Sequence, residues 1–556
     1  MTRRLVLALA VLASACAPED VPPENPSPQH QLGEAEQAVE PLETPSEENA
    51  IRFLEQATFG PRLANGASPL PIDSVERVVS VGITQALTDQ FNAPITVLDG
   101  TTASKDLGSQ FFVNAVTGQD QLRQRVAFAL SQVMVVSQTG IPENSTTPES
   151  EPKVAMAAYL NLLSSRAFGN FRQLLEAVTK DPAMGTYLDM ANNKAFRTNG
   201  TPIEPNENYS REMLQLFTLG LHKLNEDGTP VLNPTTGEMT PAYTEAHVQA
   251  FAHALSGWTY GGAACPTVGR NNVANYTVPM IGCDVNHNPA SKVLLRGVAT
   301  TAGGTAAVHL KEALDNVFAD PNLPPFICKQ LIQHLVTSNP SPAYVQRVVN
   351  VFKNNGAGVR GDLRAVVRAI LVDNEARGPQ PPLAQYASYG HLRSPALFVT
   401  STVRWLHPQL DTATKDPGAK LNAWSRGMGQ YVPRPPSVFS YYPPNAPAPG
   451  GNGLMGPEFA ILDTATVSAR ANYVHELLYS TSPATAGINF NYDLLPTDPN
   501  DMVVWLGRYL LHDTMSSDLQ LAVYNAITDP RAGDMTRRKR LAFFLTTLSP
   551  EFQIQR

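Results

Sequence analysis

The chain has 556 residues, of which 43% are hydrophobic and 16% charged, and a net charge of −8. This length and composition support a large packed core and exclude a disordered chain. The acidic balance excludes nucleic acid, or an anionic lipid surface, as the main partner, because both need a basic patch.

Taken from the N-terminus, Arg3 and Arg4 form a basic start, residues 5–12 a short apolar run, and Ala13-Ser14-Ala15-Cys16 a small-residue end before a cysteine. This order predicts a lipoprotein signal peptide over 1–15, with Cys16 as the lipidated first residue of the mature chain. The apolar run is too short to span a bilayer, so the lipid anchor is the expected membrane attachment. Ala17, which is not Asp, points to the outer membrane or cell surface. The alternative, an ordinary signal cut near Ala15, gives a periplasmic or secreted protein. Residues 17–49 hold seven prolines and nine acidic residues, with no Lys or Arg. They read as an extended, self-repelling tether.

Residues 50–556 read as one large helical domain, with a sub-boundary at 373–385. Helices are predicted over 51–59, 72–91, 119–137, 153–165, 168–180, 206–221 and 244–257. Four more follow over 306–319, 324–338, 342–354 and 362–372. Then come 383–406, kinked at Pro395, and helices near 458–479, 499–512, 517–527 and 535–547. Runs of β-branched residues with period two are nearly absent. The fold class is therefore mostly α, with long Pro/Gly-rich loops and at most a minor β-hairpin after Gly220.

Cys265 and Cys283 bracket a Gly/Asn/Pro-rich insertion and are expected to form a disulfide in an oxidising compartment. Cys328 lies in the apolar stretch FICKQLIQHL and is expected as a buried thiol. No metal-ligand spacing occurs, and no motif names a cofactor. His247 and His253 are six residues apart on one helix, too far around its axis to chelate one ion. No serine-hydrolase or phosphate-loop motif is present. Gly451–Gly456 fits a dinucleotide-loop pattern, but a proline-rich loop precedes it where a strand is required.

The stretch NENYSREMLQLFTLGL, residues 206–221, stands apart. Tyr209, Met213, Leu216 and Phe217 form one apolar stripe. Asn208, Arg211, Glu212 and Gln215 form a second face, and Glu207 lies four residues before Arg211. This face reads either as a polar core that fixes helix docking, or as a cleft in which Glu212 is an acid or base and Arg211 holds an anion. His253 and His287 are further candidates, against the ordinary reading of a satisfied, partly buried histidine. Trp258, Tyr260, Tyr431, Arg434, Tyr441 and Tyr442 lie in Pro/Gly-rich loops, which suits carbohydrate or peptide stacking as well as loop packing.

Several stretches in order carry a resemblance: FLEQATFGP, DQLRQRVAFALSQVMVVS, NENYSREMLQLFTLGL, YTEAHVQAFAHALSGW, PPFICKQLIQHLVTSNPSPAYV, GVRGDLRAVVRAIL, RPPSVFSYYPP and SPEFQIQ. From about residue 50 to the end, the chain resembles the bacterial domain of unknown function 1800 family. The resemblance implies an exported or envelope protein, often encoded beside a second exported protein, and supplies no catalytic residues. That family usually carries Arg where His253 stands. It often carries His-Asp and then Lys where this chain reads His287-Asn288 and then Lys292, which weakens a charged role there. The function expected is that of an envelope lipoprotein that binds or assembles with an exported partner. The alternative is an exported hydrolase or oxidoreductase acting on envelope or extracellular polymer.

Overall fold

Polar caps set where most helices begin. The structure is a computed structural model that describes residues 42–101, 103–143, 147–378, 388–451 and 453–556. The signal, Cys16 and most of the tether lie outside these residues, as does 379–387, which takes in most of the expected sub-boundary. Ser46 accepts the Asn49 N–H and opens α1 (Glu47–Ala57), Ser74 opens α2 (Val75–Asn92), and Asp106 opens α3 (Leu107–Thr117). Side-chain oxygens at these positions satisfy N–H groups that the first helical turn leaves without partners. Next come α4 (Gln121–Val133), α5 (Pro152–Arg166), α6 (Phe171–Thr179), α7 (Pro182–Tyr187), α8 (Asn208–Glu212) and α9 (Glu245–Ala254). They are followed by α10 (Ala306–Phe318), α11 (Leu323–Leu335), α12 (Pro342–Lys353), α13 (Leu363–Val372) and α14 (Asn374–Arg377). The C-terminal part holds α15 (Pro395–Trp405), α16 (Pro417–Gly427), α17 (Thr464–Tyr479), α18 (Ser482–Thr485), α19 (Pro499–Leu511), α20 (Ser517–Thr528), α21 (Met535–Leu548) and α22 (Pro550–Gln553).

The strands are two-residue pieces: β1 (Trp258–Thr259), β2 (Ile281–Gly282), β3 (His391–Leu392), β4 (Gln409–Leu410), β5 (Ile488–Asn489) and β6 (Ile554–Gln555). They pair antiparallel as β1 with β2, β3 with β6, and β4 with β5. The molecule is thus mostly α with minor β.

Three predicted helices differ from the structure. The helix expected over 383–406 with a kink at Pro395 begins at Pro395, after Ser394. Proline lacks the N–H that a helix interior needs and fits the first turn, where that N–H has no partner. The helix expected near 458–479 begins at Thr464 behind an Asp463 capping box, with only a 3-10 turn at Pro457–Ile461. The helix over 206–221 is not α-helical throughout.

One contiguous core runs from Ala50 to Phe552, and α15 is buried along its whole length. Buried arginines stitch that core to helix ends. Arg404 donates to Val116 O at the end of α3 (2.7 Å) and to Asp73 (2.7 Å), and Arg52 donates to Ala376 O of α14 (2.8 Å). Carbonyls at helix C-termini have no intrahelical partner and carry partial negative charge, so a buried guanidinium is stabilised there. Among the described residues no helix is long and apolar enough to cross a membrane.

Candidate functional site

The residues singled out above fall in three places. The first is α8. After Glu212 the backbone widens into a π turn over Met213–Thr218. The Leu219 and Gly220 N–H groups both reach Leu214 O (2.9 and 3.1 Å), and Thr218 Oγ1 donates to Met213 O (2.6 Å). Widened turns of this kind recur at functional sites. The apolar stripe is buried at Tyr209, Met213 and Phe217, with Leu216 half-buried. The Tyr209 hydroxyl meets Thr179 Oγ1 at 2.7 Å.

The polar face of α8 looks outward. Arg211 is 37% exposed and grips both carboxylate oxygens of Glu245, the first residue of α9, at 2.9 and 2.7 Å. It also reaches Glu207 Oε2 at 2.7 Å. The Asn208 side chain donates to Asp189 Oδ2 (2.6 Å). Glu212 is half-buried, and burial raises its carboxyl pKa against the pull of Arg211. Its Oε2 is buried and has no hydrogen-bond partner among the described residues.

The second place joins His253, His287 and Lys292. His287 Nδ1 donates to Ser256 O (2.8 Å), and its Nε2 lies 2.7 Å from His309 Nδ1. Lys292 Nζ is 3.0 Å from the same His309 nitrogen and also donates to Asn288 O. His309 Nε2 donates to Thr301 O (2.6 Å). His253 stands at the rim, between Asn288 (3.1 Å) and the exposed Glu204 (3.0 Å). Gly257 permits the close approach: its φ is +86°, and a Cβ there would sit 2.8–2.9 Å from His287 atoms. His287, His309 and Lys292 are all buried, so the cluster locks α9, the 283–292 segment and α10 together. His309 escaped the sequence reading. A single histidine on the apolar face of a helix gives no signal beyond ordinary core packing.

Burial pushes the His287 pKa down to about 4 and the Lys292 pKa down to about 8. Between about pH 6.5 and 4 the unfolded chain binds a proton at His287 that the folded chain does not, so stability falls as pH falls through that window. His287→Gln is expected to lose less stability than the parent between pH 7 and pH 5 in urea denaturation. An unchanged difference between the two pH values would refute this.

The third place holds Trp258 and Arg434, which do not meet each other. Trp258 is buried in β1, with Lys180 Nζ 5.7 Å from its ring centre. Arg434 pairs with Asp106 (3.0 Å), the cap of α3, and lies over the Tyr431 ring. Cys265 and Cys283 form the disulfide, and Cys328 is a buried free thiol. Among the described residues no group of three or more His, Cys, Asp or Glu side chains could hold a metal ion.

No curated protein and no solved structure matches the chain. The family model described as "Protein of unknown function (DUF1800)" matches residues 52–554. The match spans every helix from α2 to α22 and all but the first turn of α1, including α8, the histidine cluster and the disulfide loop, and so the chain belongs to the DUF1800 family.

Proposed function

We propose that this is an exported, lipid-anchored envelope protein that binds a second exported protein through the surface formed by α8, the 221–242 excursion and α9. The observation that carries the reading is the excursion itself. It leaves the end of the Met213–Thr218 π turn that follows α8, folds on itself through Lys223, Val231 and Thr240, and returns beside Leu221 before α9. It leaves Leu221, Leu232 and Met239 about half exposed. Exposed apolar side chains beside charged groups mark protein-binding patches: Leu232 and Met239 lie opposite each other in an antiparallel bridge of the excursion, and the excursion leads into α9, whose Glu245 pairs with Arg211. The disulfide fits an oxidising compartment outside the cytoplasm. One observation favours an exported enzyme instead: the raised, half-buried Glu212 carboxyl, which suits a proton donor.

The test changes Leu221, Leu232 and Met239 together to Ser. The variant is expected to keep the parent melting temperature and to lose the partner that the parent chain captures by crosslinking in cells. Cys16→Ala is expected to move the protein out of the membrane fraction. Capture undiminished in the triple-Ser variant would sink the docking surface, and unchanged fractionation of Cys16→Ala would sink the anchor.

A further inference from the structure

The segment that follows α2 carries an open backbone edge. Residues 94–100 lie in neither helix nor turn and run past α4 and α5. Helix side chains hold one edge of this segment, in the place a neighbouring strand would take. The Thr96 N–H donates to Asp120 Oδ2 (2.9 Å), and Gln124 Nε2 donates to Thr96 O (3.0 Å). Asn161 serves Leu98 in both directions, accepting its N–H and donating to its carbonyl, each at 2.8 Å. Asp99 turns to a different helix: Gln110 of α3 accepts its N–H (2.7 Å) and donates to its carbonyl (2.8 Å). Successive residues thus send their backbone groups to opposite sides, as in a strand. By that alternation Ile95 and Val97 face the side of Asp99. Among the described residues their N–H and C=O groups have no hydrogen-bond partner, and the two residues are 46% and 64% exposed. The open stretch ends at Asp99 and at Ala93, whose N–H folds back to Gln90 O (3.4 Å).

Proteins blunt such edges with charge, proline or a bulge, because a bare apolar edge is a template for another strand. Here neither exposed side chain is charged, and Pro94 lacks its N–H on the opposite edge, where it blocks nothing. The open pattern is complementary to itself. In an antiparallel pair of two copies centred on Thr96, Ile95 lies opposite Val97 of the second copy, and Val97 opposite its Ile95. These are the hydrogen-bonded positions, so every free group of each copy is satisfied. Ala93 and Asp99, already occupied, fall opposite each other, so pairing stops at the same place on both copies. The side chains agree: Ile95 meets Val97 as a β-branched cross-strand pair, and Asp99 meets Ala93, so like charges do not face each other. A two-fold interface requires this self-complementarity. The acidic 17–41 stretch of the same chain suits the edge less well, since its prolines donate no ladder bond.

We propose that the Ile95–Val97 edge pairs with the same edge of a second copy of this chain, as an antiparallel two-strand ladder. This goes beyond docking at α8 and does not depend on it. The test uses the full chain carrying Cys16→Ala, in which Cys328 is buried and the other two cysteines are bridged. In this register positions 95 and 97 of the two copies lie about 5.5 Å apart between Cα atoms, within disulfide reach. Position 95 with 95, or 97 with 97, lies about 7–8 Å apart, beyond it. A mixture of Ile95→Cys and Val97→Cys chains is therefore expected to form a disulfide-linked dimer at least tenfold faster than either variant alone. Ile95→Lys/Val97→Lys sets like charges opposite each other. It is expected to weaken self-association in sedimentation at least tenfold at an unchanged melting temperature, because both side chains face solvent in the single chain. Equal rates for the mixture and the single variants would overturn the proposal. So would a parent chain that stays monomeric at about 1 mM, where even weak association is visible, or Ile95→Cys that crosslinks in cells to another protein in preference to a second copy.

Discussion

Glu55→Ala is expected to destabilise the folded chain by about 3–5 kcal/mol, the cost of breaking a buried ion pair by removing one partner. Glu55 lies on α1 with no solvent exposure of its side chain, 2.7 Å from Arg393 Nη2 and 3.2 Å from His512 Nε2. Burial alone would raise its pKa, but Arg393 and then His512 outweigh it and hold the carboxyl at about 2. The group is therefore ionised in the fold. Its stabilisation is present above the ordinary carboxylate value and is lost as pH falls from about 4.5 towards 2. Removing it strands a buried guanidinium that also donates to Phe552 O (2.7 Å) and lies over the Phe552 ring. One carboxylate thus ties the first helix to α19, through His512 just past its end, and to the C-terminal turn. Guanidinium denaturation reads the effect, with Arg211→Ala as the control. Arg211 is a solvent-facing pair, and its loss should cost no more than about 1 kcal/mol. A Glu55→Ala loss no larger than that of the control would refute the buried-latch account.

This contrast explains what the sequence made legible. Caps such as Asp362, which accepts the Ala365 N–H at 3.2 Å, are local chemistry and can be read from two or three neighbours. The pairing of Cys265 with Cys283 was legible for a similar reason, since only three cysteines follow Cys16. The direction in which α8 faces was not. Its stripe and its polar face were both visible, but whether Arg211 points into a cleft or into solvent depends on where Glu245 comes to lie, 34 residues on. The π turn was equally hidden, because it depends on which carbonyl the Leu219 and Gly220 N–H groups reach.

Of the helices that were not expected at all, α3 and α16 are the longest, at 11 residues each. Phe111, Phe112 and Val116 in α3 suit a short strand as well as a helix, and α16 opens on Pro417-Gly418 inside a Pro/Gly-rich stretch that reads as loop. They form because they lie against each other: a Cβ on Gly418 would sit 2.0 Å from Ser109 O. The cleft walled by Gln132, His334, Ser440, Tyr442 and Glu458 shows the same limit more strongly. Its side chains come from four segments spread between residues 132 and 458, and no local spacing links them.

Removal of the Cys265–Cys283 bridge by a double Ser substitution is expected to cost about 3 kcal/mol, from the entropy of a loop 18 residues long. The loss should reach beyond the loop. The Cys283 N–H donates to Gly257 O (2.8 Å), and Asp284 accepts the Ala306 N–H at the start of α10 (2.8 Å). Asn286, two residues on, accepts the Gly269 N–H (2.6 Å), and the Asn286 N–H returns to Cys283 O (2.9 Å). His287 follows directly, so the bridge fixes the segment that carries it against Gly257. Opening the loop should therefore raise amide exchange at 283–292 and at the start of α10 more than elsewhere. Cys328 provides an internal reference. Its side chain is buried and burial pushes the thiol pKa well up, so it should resist alkylation in the native chain and be the only cysteine after Cys16 labelled on unfolding without reductant. Labelling of Cys265 or Cys283 under those conditions would show the bridge absent. Uniform exchange across the double-Ser variant would show that the disulfide stabilises its own loop and leaves the histidine cluster unaffected.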